Sequence, residues 1–178
     1  MTAHNGFMSI DAIDIITDAF ERVLEGLPTA LQGLDRDQLL WRPGPQANHI
    51  AWLSWHIDRC IDTQLAPLDG HQQVWSQGWR ERFALPYPPE AMGYGQSPAD
   101  VGDFTVSDPE LLIGYHRSVS ALVHEVLNAE RGKDLARVVD ERWDPPVTAA
   151  VRLVSVVDDA SQHLGQLAYV KGLVTTAR

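Results

Sequence analysis

The sequence contains a single cysteine, Cys60, so it has no second cysteine with which to form an intrachain disulfide. A chain without disulfides is typical of reducing compartments, and we expect a cytoplasmic location. Basic residues are also scarce, since 14 lysines and arginines stand against 24 acidic residues and give a formal net charge of -10. Nucleic-acid binding depends on clustered positive charge, so this balance argues against nucleic acid as a partner.

Long hydrophobic runs are missing as well. No window approaches the roughly 18 consecutive apolar residues of a transmembrane helix, and residues 1–6 lack the features of a signal peptide. We therefore predict neither membrane insertion nor secretion. With 44% hydrophobic residues among 178, the chain can bury one continuous core. We predict a single domain over residues 1–178, with residues 1–8 as a flexible tail.

Apolar residues recur at three- and four-residue steps in four segments, which is the spacing of a buried helix face. The four predicted helices cover residues 9–27, 48–64, 107 or 108 to 131, and 148–173. Ser9 and Asn48 are the predicted caps of the first two helices, and Pro109 occupies the first turn of the third. Val151 and Val154 belong to the predicted apolar face of the last helix, in which Gly172 predicts an early or frayed end.

Proline and glycine are concentrated between the second and third of these helices. A short helix is expected over residues 74–83, but residues 85–103 contain seven prolines and glycines, too many for a regular element. We predict a long ordered loop there that shapes a site. The chain shows neither alternating strand patterns nor internal repeats, so the fold class that we predict is an all-α, up-and-down four-helix bundle.

Asp159 and His163 stand four residues apart, so on a helix both project from one face. A carboxylate and an imidazole suit a divalent ion such as zinc, nickel, manganese or iron. Alone, such a pair is more often a simple hydrogen-bonded pair. His56 lies in the apolar segment 50–57, where an imidazole is usually a hydrogen-bonded core residue. Three ligands from two helices would instead make an open metal site in the bundle core.

Two residues share the helix face of His56. His49 lies about 10 Å along the axis from it, too far for direct ligation, and is interpreted as a surface or rim residue with a substrate contact as the alternative. Cys60 is interpreted as a buried inert thiol, with a soft ligand or a redox-sensitive neighbour as alternatives. No nucleophile elbow, phosphate loop or zinc-protease signature is present. The remaining histidines show no ligand spacing: His4, His71, His116 and His124.

Five segments stand out in combination: residues 48–59, 73–79, 82–83, 143–148 and 158–166. Together they resemble the DinB superfamily, and more narrowly its actinobacterial, mycothiol transferase-like branch, over about residues 13–173. The resemblance implies a DinB/YfiT-like bundle with a long loop between its second and third main helices. It also implies a divalent metal, zinc or nickel first and manganese or iron as alternatives, held by three side chains.

By position, the ligands that this resemblance implies are His56, Asp159 and His163. Asp159 departs from the family pattern, which has a histidine there, and its carboxylate adds negative charge that weakens a preference for zinc. Arg59, Gln162 and His49 are candidates for contact with the cofactor. For Arg59 and Gln162, ordinary salt bridging or hydrogen bonding at the surface is the alternative.

Relatives in this superfamily include thiol S-transferases that use bacillithiol or mycothiol, and a mycothiol-dependent maleylpyruvate isomerase. The resemblance therefore implies metal-dependent transfer of a small thiol, such as mycothiol as co-substrate, to an electrophilic small molecule in detoxification or stress response. An isomerase or a metal-dependent hydrolase on the same site is one alternative. A non-catalytic metal- or ligand-binding bundle is another, and a homodimer is an open alternative to a monomer.

Overall fold

The computed structural model describes residues 10–176, most of which are helical. Its elements are α1 (Ala12–Leu31), α2 (Arg36–Leu40), α3 (Ile50–Leu65), α4 (Trp79–Phe83), α5 (Pro98–Gly102), α6 (Pro109–Glu130), β1 (Val138–Asp140), β2 (Val147–Thr148) and α7 (Ala149–Thr176). Two 3-10 helices, Ala66–Asp69 and Val74–Ser76, lie between α3 and α4. The four long helices α1, α3, α6 and α7 confirm the predicted all-α four-helix bundle.

Each long helix buries one face in a common core. Helices α1 and α3 both pack against α6 and α7, so α1 and α3 lie across the diagonal of the bundle. The core contains side chains from all four helices, among them Phe20, Trp55, Tyr115 and Leu167. Burial of apolar surface is the main term that stabilises such a core. For the site, the consequence is that α3 and α7 lie side by side along much of their length.

The start of α1 is set by a reciprocal pair of hydrogen bonds. The backbone N–H of Asp14 donates to the Asp11 carboxylate at 2.9 Å, and the N–H of Asp11 donates to the Asp14 carboxylate at 3.0 Å. This capping box satisfies two donors that the first helical turn leaves free. The predicted cap, Ser9, and the predicted flexible tail, residues 1–8, lie outside the described residues.

Helix α1 carries a proline in its interior, and a histidine compensates for it. Pro28 has no N–H, so the carbonyl of Leu24 lacks its usual helical donor. Nε2 of His116 in α6 donates to that carbonyl at 2.8 Å, and Nδ1 of the same ring lies 2.8 Å from the Asp58 carboxylate. Burial lowers the pKa of His116, but the Asp58 charge and these hydrogen bonds outweigh it and raise the pKa. The ring of His116 therefore joins α1, α3 and α6.

Helix boundaries follow the predictions in part. Helix α6 has Pro109 in its first turn, as predicted. Helix α3 begins one residue later than predicted, because its cap is His49, whose Nδ1 accepts from the backbone N–H of Trp52, rather than Asn48. Helix α7 continues through Gly172 to Thr176, so the predicted early end is wrong. The buried side chain of Val174 anchors that last turn in the core.

Two predictions are wrong: part of the buried face of α7 and the single short helix over residues 74–83. Val151 and Val154 are 49% and 58% exposed, because α7 turns a different face, including Leu153 and Val156, towards the core. The predicted short helix over 74–83 is split by Gly78, whose φ of 94° interrupts it. Strands β1 and β2 pair antiparallel and were not predicted, since two or three residues give no alternating pattern.

The predicted long loop between α3 and α6 is present, but the prediction that residues 85–103 contain no regular element is wrong, because α5 lies within them. Ser97 caps α5 through a capping box with Asp100. Side-chain hydrogen bonds fix the loop to the bundle, including Trp52 Nε1 to Gln96 Oε1 at 2.8 Å and Trp75 Nε1 to the Pro89 carbonyl at 3.0 Å. Within residues 10–176, none of the helices has the length and apolar composition needed to cross a membrane.

Candidate metal centre

The packing of α3 against α7 brings His56 and His163 into contact. Their Nε2 atoms lie 3.2 Å apart, and the two rings meet edge to face with centroids 4.6 Å apart. Oδ1 of Asp159, one turn before His163 on α7, lies 3.5 Å from Nε2 of His163. The structure thus brings together the three side chains that the sequence analysis named as metal ligands.

Hydrogen bonds on the far side of each ring fix the orientation of both histidines. Nδ1 of His56 donates to the carbonyl oxygen of Met92, which can only accept. Nδ1 of His163 lies 3.1 Å from Oε1 of Gln166, which accepts in the same way. Both Nε2 atoms therefore present lone pairs to each other. Metal-bound histidines commonly have this pattern, with the second nitrogen donating to a carbonyl or an amide oxygen, and a cation would stabilise the contact.

The two donor-atom distances that involve His163 are close to those expected around a tetrahedral metal ion. Two nitrogens bound at 2.0–2.1 Å to one zinc ion would lie about 3.3–3.4 Å apart. The separations here are 3.2 Å between the two Nε2 atoms and 3.5 Å between Nε2 of His163 and Oδ1 of Asp159. Oδ2 of Asp159 is buried, and the Cys60 thiol is the group beside the carboxylate that can donate a hydrogen bond to it. Two imidazoles and a carboxylate suit a borderline divalent ion.

His56 sits in a tightly packed environment. It is 5% exposed, and its ring stacks on Trp52 with centroids 4.6 Å apart. A Cβ at Gly93 would lie 2.5 Å from Nδ1 of His56, so only glycine fits where the loop crosses the ring. Burial lowers the pKa of His56 and keeps its imidazole neutral, which is the form that binds a metal.

Cys60 lies one turn after His56 on the same face of α3. Its Sγ atom is 3.6 Å from Nδ1 and 3.7 Å from Nε2 of His56. His56, Cys60 and Asp159 each offer a ligand atom, and these atoms lie within 4.8 Å of one another. Burial and the charge of Asp159 raise the pKa of the Cys60 thiol to about 12, so without a cation the group stays protonated. The four-residue spacing from His56 was the sequence signal for this position.

A cleft of about 1000 Å³ lies between α3, α7 and the β1–β2 hairpin, and its lining does not include the side chains of His56, Asp159 or His163. Thr63 in its wall follows Cys60 by almost one turn of α3, and Ser155 precedes Asp159 by one turn of α7. Met92, whose carbonyl binds His56, lines the cleft as well. The predicted loop therefore contributes to this space. The volume matches clefts that bind small molecules in other proteins.

The far end of the cleft is charged. Asp140 of β1 lies 2.8 Å from Arg142 and 3.0 Å from Arg152, and the hydrogen bonds from Arg142 are the main cause of a pKa for Asp140 well below its usual range. Arg152 also donates to Gln64 Oε1 at 3.3 Å, which ties the hairpin to α3. Trp143 adds an exposed aromatic side chain to the same wall. This end offers hydrogen-bonding and stacking groups to a polar ligand.

Arg59, a predicted cofactor contact, is fully buried. Its Nε donates to the Ala91 carbonyl at 3.1 Å, its Nη1 donates to Gln73 Oε1 at 3.2 Å, and its guanidinium lies over the ring of Trp75. These contacts hold the loop against α3. The surface position weighed for this residue is wrong, and its contact with a cofactor stays a prediction.

His49 and Gln162 lie in contrasting environments. His49 is 2% exposed, and its Nε2 donates to the Val101 carbonyl at 3.1 Å, so its predicted surface or rim position is wrong. Gln162 is exposed on α7 and donates to Asp158 at 2.8 Å. A cofactor contact by either residue stays a prediction. The Met92 carbonyl and Gln166, which orient the two ligand histidines, were missed.

Comparison with known proteins agrees with this architecture. The sequence pattern of the DinB superfamily matches residues 19–167, a range that includes His56, Asp159 and His163. The chain is similar to a crystal structure described as a conserved protein from Enterococcus faecalis, with a TM-score of 0.86 and 31% sequence identity over 94% of this chain and 99% of that chain. No curated protein matches. The chain belongs to the DinB superfamily.

Proposed function

We propose that this protein is a divalent-metal-dependent thiol S-transferase that joins a low-molecular-weight thiol, such as mycothiol, to an electrophilic small molecule in detoxification or stress response. The observation that carries the proposal is the pair of histidines, His56 and His163, whose Nε2 lone pairs meet beside Asp159. Three protein ligands leave a coordination position for a substrate, as catalytic sites do. The superfamily includes metal-dependent enzymes.

In this mechanism His56, Asp159 and His163 hold the metal. When bound, the metal would act as a Lewis acid and favour the thiolate form of the co-substrate over its thiol form. Met92 and Gln166 keep the two imidazoles in the required tautomer, and Trp52 covers one face of His56 against water. The thiol loses its proton to solvent, its sulfur forms a bond to the electrophilic carbon, and the leaving group departs with the bonding electrons.

The donor set also bears on which metal is used. Two imidazole nitrogens favour zinc or nickel, whereas the Asp159 oxygen is a ligand that manganese and iron accept equally well. Zinc or nickel is therefore the first choice for the resident ion. The electrophile would enter through the cleft that Met92, Thr63 and Ser155 line, and polar groups near Arg152 would position the remainder of the thiol.

Metal content tests the site directly. Protein purified without a histidine tag is analysed for bound metal beside His56→Ala and His163→Ala, with His124→Ala as the matched control. His124 lies half exposed and pairs with Glu21, far in sequence from the site. We expect close to one metal ion per chain in the wild type and the control and a large loss in the two site variants. Equal metal content in all four proteins would exclude the proposed ligands.

Product analysis tests the reaction. Metal-loaded protein is incubated with mycothiol and a fluorogenic electrophile, and the products are separated by mass. A thiol conjugate formed by the wild type and not by His163→Ala supports the transferase. An isomerised or hydrolysed electrophile would favour the two other reactions on the same site. Bound metal without turnover would favour a non-catalytic binding protein.

A further inference from the structure

The cleft beside the metal centre has its own set of ligand-binding groups. It is bounded by α3, α7 and the β1–β2 hairpin, and its lining does not include the proposed metal ligands. Ser155 in its wall precedes Asp159 by four residues, which places that wall about 6 Å along α7 from the proposed metal site. A molecule that reaches the metal can therefore extend into this space, and the residues that line it indicate which kind of molecule fits.

The charged groups of the cleft balance one another. Its lining contains two acidic and two basic residues, Asp140, Glu141, Arg142 and Arg152. Oδ2 of Asp140 lies 2.8 Å from Nη2 of Arg142 and 3.0 Å from Nη2 of Arg152, and its Oδ1 accepts from Nε of Arg142 at 2.9 Å. A carboxylate or phosphate of a ligand would have to compete with Asp140 for these guanidinium groups. Because positive and negative groups are equal in number, the cleft favours a ligand without net charge.

Uncharged hydrogen-bonding groups and one exposed aromatic ring complete the lining. Thr63 and Ser155 contribute hydroxyls, and Gln64 contributes an amide whose Oε1 accepts from Arg152 at 3.3 Å. Trp143 is 63% exposed, although an indole of this size is usually largely buried. Hydroxyls, amides and paired charges donate to and accept from neighbouring hydroxyl groups of a ligand, and an indole packs against the C–H face of a sugar-like ring. This combination is typical of sites for polyhydroxylated molecules.

We propose that this cleft binds an uncharged, polyhydroxylated group, the sugar-like body of the thiol co-substrate, with Trp143 as the stacking surface and the Asp140–Arg152 pair as the hydrogen-bonding partner. The proposal rests on the proposed function, because it assigns the cleft to the thiol used there. It also gives the protein a basis for selectivity between thiols. A thiol whose body carries carboxylates would place negative charge beside Asp140 and Glu141, whereas an uncharged thiol would not.

Thioether analogues separate binding in the cleft from chemistry at the metal. The S-methyl derivatives of mycothiol and bacillithiol share a glucosamine ring, but the first carries an uncharged inositol and the second a malate with two carboxylates. Neither derivative can form a thiolate for the metal. Isothermal titration calorimetry measures their affinities for the wild type, Trp143→Ala, His163→Ala and the matched control Tyr169→Ala. Tyr169 is 68% exposed on α7 and lies about 21 Å beyond Ser155 along the helix.

We expect the wild type to bind the mycothiol analogue at least about tenfold more tightly than the bacillithiol analogue. Trp143→Ala should weaken binding of the mycothiol analogue by about tenfold, whereas Tyr169→Ala and His163→Ala should leave it unchanged. Equal affinities for the two analogues, or an affinity that Trp143→Ala does not change, would overturn the proposal. Loss of binding in His163→Ala would overturn it as well, because the analogue would then be held at the metal centre.

Failure of this proposal and failure of the transferase give different results. The expected binding without a conjugate in the product analysis would overturn the transferase and leave the ligand class of the cleft supported. A conjugate that forms with the same KM for mycothiol in the wild type and in Trp143→Ala would overturn the role of the cleft and leave the transferase intact. Absence of binding of both analogues to the wild type would also overturn the role of the cleft.

Discussion

Asp159 lies one helical turn before His163, and its Oδ1 atom is 3.5 Å from Nε2 of that ring. The neighbouring Asp158 points to solvent and accepts a hydrogen bond from Gln162 instead. Two adjacent aspartates on α7 therefore have different roles: one faces the proposed metal site and the other its outer surface. This contrast provides a matched pair of variants.

We expect Asp159→Asn to lower zinc affinity by at least about tenfold, because the amide keeps the shape of the carboxylate and removes its charge and one strong ligand oxygen. Asp158→Asn should leave the affinity unchanged within error. Competition titration against a zinc-binding dye measures both constants. Equal zinc affinities for the two variants would show that Asp159 is not a ligand.

The close approach of the loop to His56 leads to a second prediction. A Cβ at Gly93 would meet Nδ1 of His56 at 2.5 Å and the ring of Trp52 at 2.8 Å, whereas one at Gly95 would meet nothing within 4 Å. Both glycines have positive φ, 97° and 73°. We expect Gly95→Ala to cost about 1 kcal/mol for its backbone conformation alone. Gly93→Ala should cost about 2–4 kcal/mol, since overpacking adds to that term.

Urea unfolding of the two glycine variants measures the difference in their free energies of unfolding. A zinc titration of each variant measures its affinity for the metal. Because Gly93→Ala displaces the loop that carries Met92, it should also weaken metal binding, whereas Gly95→Ala should not. The same unfolding free energy for both variants would contradict the contact between the loop and His56.

The sequence predicted the elements that depend on local periodicity. The four helices follow from apolar spacing, and α6 begins where Pro109 indicated. The buried face of α7 was assigned correctly only in part, because Val151 and Val154 have the same spacing as the buried Leu153 and Val156. Only packing against α1 and α3 decides between these faces. The β1–β2 hairpin, with strands of three and two residues, was too short for any periodic signal.

Some residues of the candidate site could also be predicted from the sequence, whereas others could not. Asp159 and His163 share one helix, so their four-residue spacing was visible, but their meeting with His56 on another helix depended on the family resemblance. The Met92 carbonyl was not predictable, because a backbone oxygen has no residue-specific signal. The predicted surface position of His49 was wrong, because a buried helix cap and an exposed residue at the rim of a site can both follow a turn in the sequence.

His49 leads to a prediction on pH dependence. Burial lowers its pKa from an ordinary value near 6.5 to about 4. The folded state therefore binds fewer protons than the unfolded state between these values, so the free energy of unfolding rises with pH across this window. The contribution is fully present above about pH 6.5 and is lost as the pH falls towards about 4. Over the whole window it amounts to about 3 kcal/mol.

His49→Asn provides the test, because asparagine keeps a side-chain acceptor for the N-terminus of α3 but does not titrate. We expect the free-energy difference between wild type and variant to shrink by about 3 kcal/mol between pH 7.5 and pH 4. Urea titrations at several pH values measure it. A difference that stays constant with pH would show that the buried ring is not the source.

The ring of His116 bridges the carbonyl that Pro28 leaves without a donor and the carboxylate of Asp58. Replacing it by leucine leaves the Leu24 carbonyl and the buried Asp58 carboxyl group without this partner. We expect His116→Leu to lower the free energy of unfolding by about 3–5 kcal/mol, as removal of one partner of a buried ion pair does. His124→Leu, at an exposed ring, should change it by less than about 0.5 kcal/mol.

A double-mutant cycle measures how much of the stability cost of losing His116 arises from the missing N–H of Pro28. Pro28→Ala restores an N–H that can donate to Leu24, so the carbonyl no longer depends on His116. We expect His116→Leu to cost about 1–2 kcal/mol less in the Pro28→Ala background than in the wild type, the penalty of one unpaired buried carbonyl. The Asp58 part of the cost should remain. If the two costs are equal, the histidine does not replace the missing helical donor, and its stabilising effect comes from Asp58 alone.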